Sequence, residues 1–159
     1  MNLMGRITAA YMNVGRECVA THVFLESRAK KGVGICFVGE CWVARSGSGT
    51  QSHPDYVILG HATKGTMVVS FVRKDLVDRV ELVVATARAV VVEVGSCRVG
   101  GVYGQCGIGV DAMKDWLDSM TGWIGGGDWG LLGDWNAHCH TWSLDGRSGP
   151  RVRVLAEWV

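Results

Sequence analysis

Short apolar segments, several of them rich in valine, recur along the chain and limit its possible folds more than any other feature. Runs of this kind, bounded by turn residues, predict β-strands. They lie at residues 7–12, 33–38, 56–59, 67–72, 80–85, 89–94, 98–103 and 129–132. Because the 33–38 and 129–132 runs are almost continuously apolar, we expect both strands to be buried.

The first segment with helical periodicity covers residues 17–31. Val19, Val23 and Phe24 recur there at helical spacing, which predicts that these side chains face the core. Gly32 follows directly, and glycine commonly ends a helix. The segment therefore predicts an amphipathic helix between the first two strands.

The order of the elements predicts the fold class. Residues 111–120 carry apolar side chains on one helical face, and residues 149–159 predict a third helix. The chain runs strand–helix–strand, then several strands, then helix–strand–helix. This order predicts a mixed α/β (α+β) layered domain rather than an all-β barrel. The length of 159 residues fits one domain over 1–159.

Composition and charge exclude several classes of protein. Apolar residues make up 48% of the chain and charged residues 19%, which excludes a disordered tail. The formal net charge is +1, so a polyanion would have to be held by a local patch. No apolar stretch is long enough to cross a membrane, and no phosphate-binding or dinucleotide glycine motif indicates a small-molecule cofactor. Six cysteines without a Cys-x-x-Cys pair favour reduced thiols in an intracellular protein.

Polar residues stand at the ends of four of the predicted strands. They are Asn13, Glu40, Tyr103, and the pair Asp134 and Asn136. A layered sheet can bring such strand ends together at one rim, where catalytic groups of α/β folds are usually found. Two carboxylates and two amides at one rim would form an oxygen-rich site that suits Mg²⁺.

Each of these residues also has a structural interpretation. Gly-Asp after a strand is more often a turn, and a single Glu after a strand is usually solvated or caps a helix. Asn13 before Val-Gly fits a turn, and Tyr103 fits a half-buried aromatic side chain at a strand end. The functional hypothesis rests on their occurring together and in this order.

The order of these motifs resembles the endonuclease/exonuclease/phosphatase (DNase-I-like) superfamily, over nearly the whole chain. The greatest similarity is to the endonuclease domain of fungal LINE-type (non-LTR) retrotransposon reverse transcriptases, whose motifs are Asn-x-x-Arg, Gln-Glu-Pro-Trp, Val-Tyr-Ala-Pro and Gly-Asp-Phe-Asn-Ala-His. The corresponding segments are Asn13-Val14-Gly15-Arg16, Gly39-Glu40-Cys41-Trp42, Val102-Tyr103-Gly104-Gln105 and Gly133-Asp134-Trp135-Asn136-Ala137-His138. The last motif is the most specific.

The resemblance implies a sandwich of two mixed β-sheets flanked by helices, and Mg²⁺-dependent cleavage of DNA, with Mn²⁺ as a substitute. It implies that Glu40 holds the metal ion with Asn13 close by. Asp134 would orient or deprotonate the attacking water, and Asn136 would position the scissile group. Tyr103 would contact the phosphate.

The same resemblance implies further contacts and a location. Arg16 and His138 would contact phosphate groups of the DNA, and the guanidinium of Arg16 matches the phosphate oxygens. A retrotransposon-derived protein would act in the nucleus. The oligomeric state is not indicated by any motif.

The chain departs from the family pattern after Asn136. The family places another Asp and a Ser-Asp-His on late strands, and this sequence contains no Ser-Asp-His. We therefore expect a domain that is incomplete at its C-terminus, with a sheet edge and an apolar face left uncovered. One lost transition-state donor costs roughly 3–4 kcal/mol, so we expect weak or no activity. The alternatives are a non-catalytic nucleic-acid-binding remnant and a phosphatase of the same superfamily.

A zinc site is a weaker alternative. Cys106, His138, Cys139 and His140 are all metal-binding residue types. However, adjacent residues cannot easily face one tetrahedral ion, and no second pair of ligands has suitable spacing.

Overall fold

The structure is a computed structural model that describes residues 7–136 and 150–158. Within these ranges the α-helices and β-strands follow the order that the sequence predicts. They are β1 (Ala9–Asn13), α1 (Cys18–Lys30), β2 (Ile35–Gly39), β3 (Tyr56–Leu59), β4 (Val68–Arg73), β5 (Val80–Ala85), β6 (Ala89–Val94), β7 (Cys97–Tyr103), α2 (Val110–Ile124), β8 (Asp128–Asp134) and α3 (Pro150–Trp158). A 3₁₀ helix over Lys74–Arg79 joins β4 to β5.

The strands form two four-stranded mixed sheets, as the resemblance implied. The first sheet has the order β1-β2-β4-β3, and the second has the order β5-β6-β7-β8. Each sheet contains one parallel pair, β1 with β2 and β7 with β8, while the remaining pairs are antiparallel. The two sheets pack face to face, with α1 outside the first and α2 and α3 outside the second.

The alternation of side chains along β2 builds two layers of the core at once. Ile35 and Phe37 point toward the second sheet, and Cys36 and Val38 point toward α1. All five residues of β2 are buried, which confirms the expectation from the apolar 33–38 run. Gly101 on β7 faces Phe37, and a Cβ there would overlap the phenyl ring. The close contact between the sheets therefore requires glycine at this position.

The predicted buried face of α1 is wrong in part. Val19 and Val23 are 72% and 59% exposed, whereas Thr21, Phe24 and Leu25 are buried. Only Phe24 of the three predicted core residues faces the first sheet. The Thr21 hydroxyl donates a hydrogen bond to the Glu17 carbonyl at 2.9 Å, so its polar atom is satisfied inside the helix. This internal bond lets a threonine replace valine on the buried face.

The predicted burial of residues 129–132 is also wrong. They belong to β8, which lies at the edge of the second sheet, and no residue of β8 is fully buried. Trp129 is 40% exposed. Helix α2, in contrast, buries Met113, Leu117 and Met120 on the predicted face. No helix within the described ranges is long and apolar enough to span a membrane.

Two cysteines and a histidine after β2 are buried within the described ranges. Cys36 and Cys41 are buried, and the five cysteines within the described ranges are all free thiols. Burial raises the pKa of each of these two thiols to about 11. His53 lies between β2 and β3 and is only 5% exposed.

Candidate active site

The two parallel strand pairs bring four predicted site residues to one rim of the sandwich. Asn13 ends β1 and pairs in register with Gly39, which ends β2 directly before Glu40. Tyr103 ends β7 and pairs in register with Asp134, which ends β8. Because β1 and β8 also contact each other across the sandwich, the four chain ends meet.

The side chain of Asn13 connects the two carboxylates of this rim. Its Nδ2 donates hydrogen bonds to Glu40 Oε1 at 3.1 Å and to Asp134 Oδ2 at 3.3 Å. The Tyr103 hydroxyl donates to the same Glu40 oxygen at 2.9 Å. We call these four residues the acidic cluster. The expected convergence is therefore confirmed, whereas the chemical role of each residue remains a prediction.

Asn136 lies beside the acidic cluster and shapes its edge. Its backbone amide donates to Asp134 Oδ1 at 3.0 Å, which fixes that carboxylate from the side opposite Asn13. Its side-chain Nδ2 donates to the carbonyl of Gly104, so the amide group is turned toward β7. The Gly104 amide in turn donates to the Asp134 carbonyl at 2.7 Å. These bonds hold the ends of β7 and β8 together.

Three non-glycine residues at this rim have left-handed backbone conformations. Arg16, Glu40 and Asn136 have φ values of 62°, 46° and 46°. Such a conformation costs of order 1 kcal/mol or more for a residue with a Cβ, and it tends to occur at functional sites. Two backbone hydrogen bonds keep Glu40 in this conformation. Its amide donates to the Met67 carbonyl at 2.6 Å, and its carbonyl accepts from the Arg16 amide at 2.7 Å.

Tyr11 is a site residue that sequence reasoning missed. Its hydroxyl is buried, with no hydrogen-bond partner in the described part of the chain, and lies over Gly39. Burial raises the pKa of Tyr11 to about 12, and the negative charges of Asp134 and Glu40 act in the same direction. Strand periodicity contained the signal, because Tyr11 and Asn13 are two residues apart on β1 and share a face.

The acidic cluster has donors that fit a hard divalent cation. Carboxylate oxygens of Glu40 and Asp134 are available, and the Asn13 Oδ1 accepts only the Gly15 amide, at 3.0 Å. Mg²⁺ is typically held by one or two carboxylates and keeps several waters. No three His, Cys, Asp or Glu side chains within residues 7–136 and 150–158 are close enough to hold a metal ion by themselves. The two carboxylates therefore fit a partly hydrated ion rather than a fully protein-bound one, with the Asn13 side chain beside them.

Tyr103 remains a hydrogen-bond donor at neutral pH. Partial burial and its bond to the Glu40 carboxylate both raise the pKa of Tyr103 above its usual value. A phenol in this state keeps its proton and can donate to an oxygen anion. This property suits the predicted phosphate contact.

The two predicted phosphate-binding residues differ in what the structure describes. Arg16 is exposed beside the acidic cluster, and its Nη2 lies 3.6 Å from the Met67 sulfur. His138 lies outside the described residues, as do Cys139 and His140 of the zinc alternative. Cys106 is described and is exposed.

The layered fold is that of a known class of nuclease domain. A comparison with solved structures matches the chain to the endonuclease domain of TRAS1, a telomere-specific non-LTR retrotransposon, with a TM-score of 0.71 at 16% sequence identity. The match covers 96% of this chain and 71% of that one. No family model matches the sequence, and no curated protein matches it significantly. The chain thus has the fold of a retrotransposon endonuclease domain, which confirms the predicted fold class.

Proposed function

We propose that the chain is a retrotransposon-type DNA endonuclease domain that cleaves phosphodiester bonds with Mg²⁺, or with Mn²⁺ in its place. The observation that carries the proposal is the acidic cluster, in which Asn13, Glu40, Tyr103 and Asp134 are joined by hydrogen bonds at one rim. The fold of a retrotransposon endonuclease domain supports the same function. We further propose DNA as the partner and the nucleus as the location.

Each residue of the acidic cluster would have its own role in hydrolysis. Glu40, with Asn13 close by, would hold the cation, which when bound neutralises phosphate oxygens and the leaving alkoxide. Asp134 would accept a hydrogen bond from the attacking water and take up its proton. The Asn136 amide fixes the orientation of Asp134 through the 3.0 Å bond to Oδ1. The neutral Tyr103 hydroxyl, which donates to Glu40 Oε1 at 2.9 Å in the structure, would exchange that bond for one to a non-bridging oxygen of the phosphate.

The proposal includes a low rate for these 159 residues. They contain no Ser-Asp-His, which the resembled family uses to stabilise the phosphate in the transition state. Loss of one such donor lowers the rate by about 10²–10³-fold. We therefore propose weak nicking, and DNA binding without any cleavage would instead identify the non-catalytic alternative.

Nicking of supercoiled plasmid tests the proposal. We expect slow conversion to the open-circular form with Mg²⁺ or Mn²⁺, and none with EDTA. Asp134→Ala should abolish the conversion, whereas Asp128→Ala should not, because Asp128 is an exposed carboxylate at the opposite end of β8. Equal nicking by Asp134→Ala and the unchanged chain would contradict the proposal. Release of phosphate from a monoester, with no nicking, would instead identify a phosphatase.

A further inference from the structure

A pocket of about 320 Å³ lies beside the acidic cluster, and three cationic side chains line it. They are Arg16, Arg45 and Lys64, all of them exposed. The half-buried Trp42 adds an aromatic wall. We call these four residues the basic pocket. A volume of this size is at the lower end of those that hold a small organic ligand.

The basic pocket is open to the close approach of a ligand. Gly47 and Gly65 also line it, with φ values of 84° and 95°. A Cβ at either position would meet no other atom within 4 Å, so open space lies over both backbones. Backbone that is free of side chains in this way can come close to a bound group.

Two loops hold the pocket in a defined shape. The Lys64 amide donates to the Gly47 carbonyl at 2.9 Å, and the Gly49 amide donates to the Ala62 carbonyl at 2.7 Å. Within the first loop, the Ala44 amide donates to the Gly49 carbonyl at 3.0 Å. These backbone bonds fix the segments that carry Arg45 and Lys64 relative to each other. A site that is formed before binding loses less conformational entropy on binding.

The charge of the pocket is uncompensated within the described residues. No Asp or Glu lines it, and Arg16, Arg45 and Lys64 form no ion pair with any carboxylate that the structure describes. The chain as a whole carries a formal net charge of only +1. Three unpaired cations around one cavity therefore make a local positive field on a nearly neutral molecule.

The basic pocket is continuous with the acidic cluster along the backbone. Cys41 and Trp42 of the pocket directly follow Glu40, and the Arg16 amide donates to the Glu40 carbonyl at 2.7 Å. A polyanion that reaches the acidic cluster with one phosphate therefore has another phosphate near the pocket. Arginine and lysine both bind phosphate oxygens through charge-assisted hydrogen bonds.

We propose that the basic pocket binds a backbone phosphate of the nucleic acid strand, next to the phosphate that lies at the acidic cluster. Arg45 and Lys64 contact its oxygens, and Trp42 packs against the adjoining sugar. This inference rests on the proposed function for the identity of the polyanion. Of its four residues, Arg16 and Trp42 belong to the motifs, whereas Arg45 and Lys64 add a binding subsite outside them.

Salt-dependent DNA binding in EDTA tests the pocket separately from cleavage. The probe is a fluorescein-labelled duplex of mixed sequence, and anisotropy gives the affinity between 50 and 200 mM salt. Each lost phosphate contact lowers the slope of log K against log salt by about 0.9. The slope for the double variant Arg45→Ala/Lys64→Ala should therefore be smaller by about 1.8. Over this fourfold range of salt, its affinity should change roughly 12-fold less than that of the unchanged chain. Arg45→Gln/Lys64→Gln should behave alike, and circular dichroism checks that each variant is folded.

The matched control is Lys31→Ala/Lys114→Ala, which removes the same charge from two exposed positions outside the pocket. It should keep the slope of the unchanged chain. An equal loss of slope in both double variants, or no loss in the pocket variants, would overturn the proposal. Absence of any DNA binding by the unchanged chain would overturn the pocket and the proposed function together. A pocket effect without nicking would support the pocket and reject the nuclease function.

Discussion

Replacing Asn13 by a carboxylate tests whether one amide holds the acidic cluster together. In the native chain the Asn13 amide donates to Glu40 at 3.1 Å and to Asp134 at 3.3 Å. Asn13→Asp preserves the size of the side chain but removes both donors and adds a third negative charge. The change therefore converts two attractions into two repulsions without creating a cavity.

The magnitude follows from these contacts. A hydrogen bond to a charged group contributes about 1.5–3 kcal/mol, and we use the lower value because these side chains are half-buried. The two bonds of Asn13 together therefore contribute about 3 kcal/mol. Repulsion at about 4 Å in an environment close to water adds about 1 kcal/mol for each of the two carboxylates. The free energy of unfolding of Asn13→Asp should thus fall by about 4–5 kcal/mol without metal. For a domain of this size that corresponds to a melting temperature roughly 10–15 °C lower.

Thermal unfolding in EDTA at pH 7.5 measures this loss, and two further conditions assign its cause. Protonation of the introduced carboxylate removes its repulsion, so the added instability should shrink as pH falls toward 4. A saturating concentration of Mg²⁺ should restore more stability to Asn13→Asp than to the unchanged chain. Asn13→Ala, which removes the donors without adding charge, should lose about 3 kcal/mol and show a smaller pH effect. A melting temperature of Asn13→Asp within about 1 °C of the unchanged chain would refute the geometry of the cluster.

Three further predictions concern single contacts of the fold. Gly39→Ala should lower the free energy of unfolding by about 1–3 kcal/mol, because its methyl group would overlap the Tyr11 hydroxyl. In urea unfolding, adding Tyr11→Phe should recover part of this loss. Equal losses in the single and double variants would contradict the contact. The pKa of Tyr11 is about 12 in the folded state and about 10 in the unfolded state. Its contribution to stability should therefore be complete below pH 10 and decline between pH 10 and 12. Tyr11→Phe should reduce the pH dependence of the free energy of unfolding in this range. Val23→Ala should change stability by less than about 0.5 kcal/mol and Phe24→Ala should cost about 3–5 kcal/mol; a large loss for Val23→Ala would support the helix face that the sequence suggested.

The contrast between helices α1 and α2 shows what a single sequence predicts well. Helix α2 has a long apolar stripe with charged residues opposite it, so its buried face of Met113, Leu117 and Met120 was predictable from periodicity alone. Helix α1 has apolar side chains around much of its circumference, and its face depends on the sheet that it meets. Thr21 is buried there because its hydroxyl bonds within the helix, and no periodicity pattern contains that information.

Strand burial was predictable only where neighbours exist on both sides. The apolar run of β2 was correctly predicted to be buried because β1 and β4 flank it within the first sheet. The similarly apolar run of β8 has one neighbour, β7, among the described strands, and Trp129 stays 40% exposed. Position in a sheet is a property of the topology, and the sequence of one strand does not encode it.

The candidate site was more predictable than these packing details, for a reason that lies in the topology. Each sheet contains one parallel pair, and parallel strands must end at the same rim, so the residues at those ends are neighbours whatever the details of the core. The left-handed conformations of Glu40 and Asn136 then turn the chain immediately after β2 and β8. Polar residues at strand ends are therefore visible in the sequence, while the Tyr11 hydroxyl, buried beneath them, reads as an ordinary strand residue. A search of similar chains for buried site residues should begin two positions before the polar residue that ends each parallel strand, because that side chain lies on the same face.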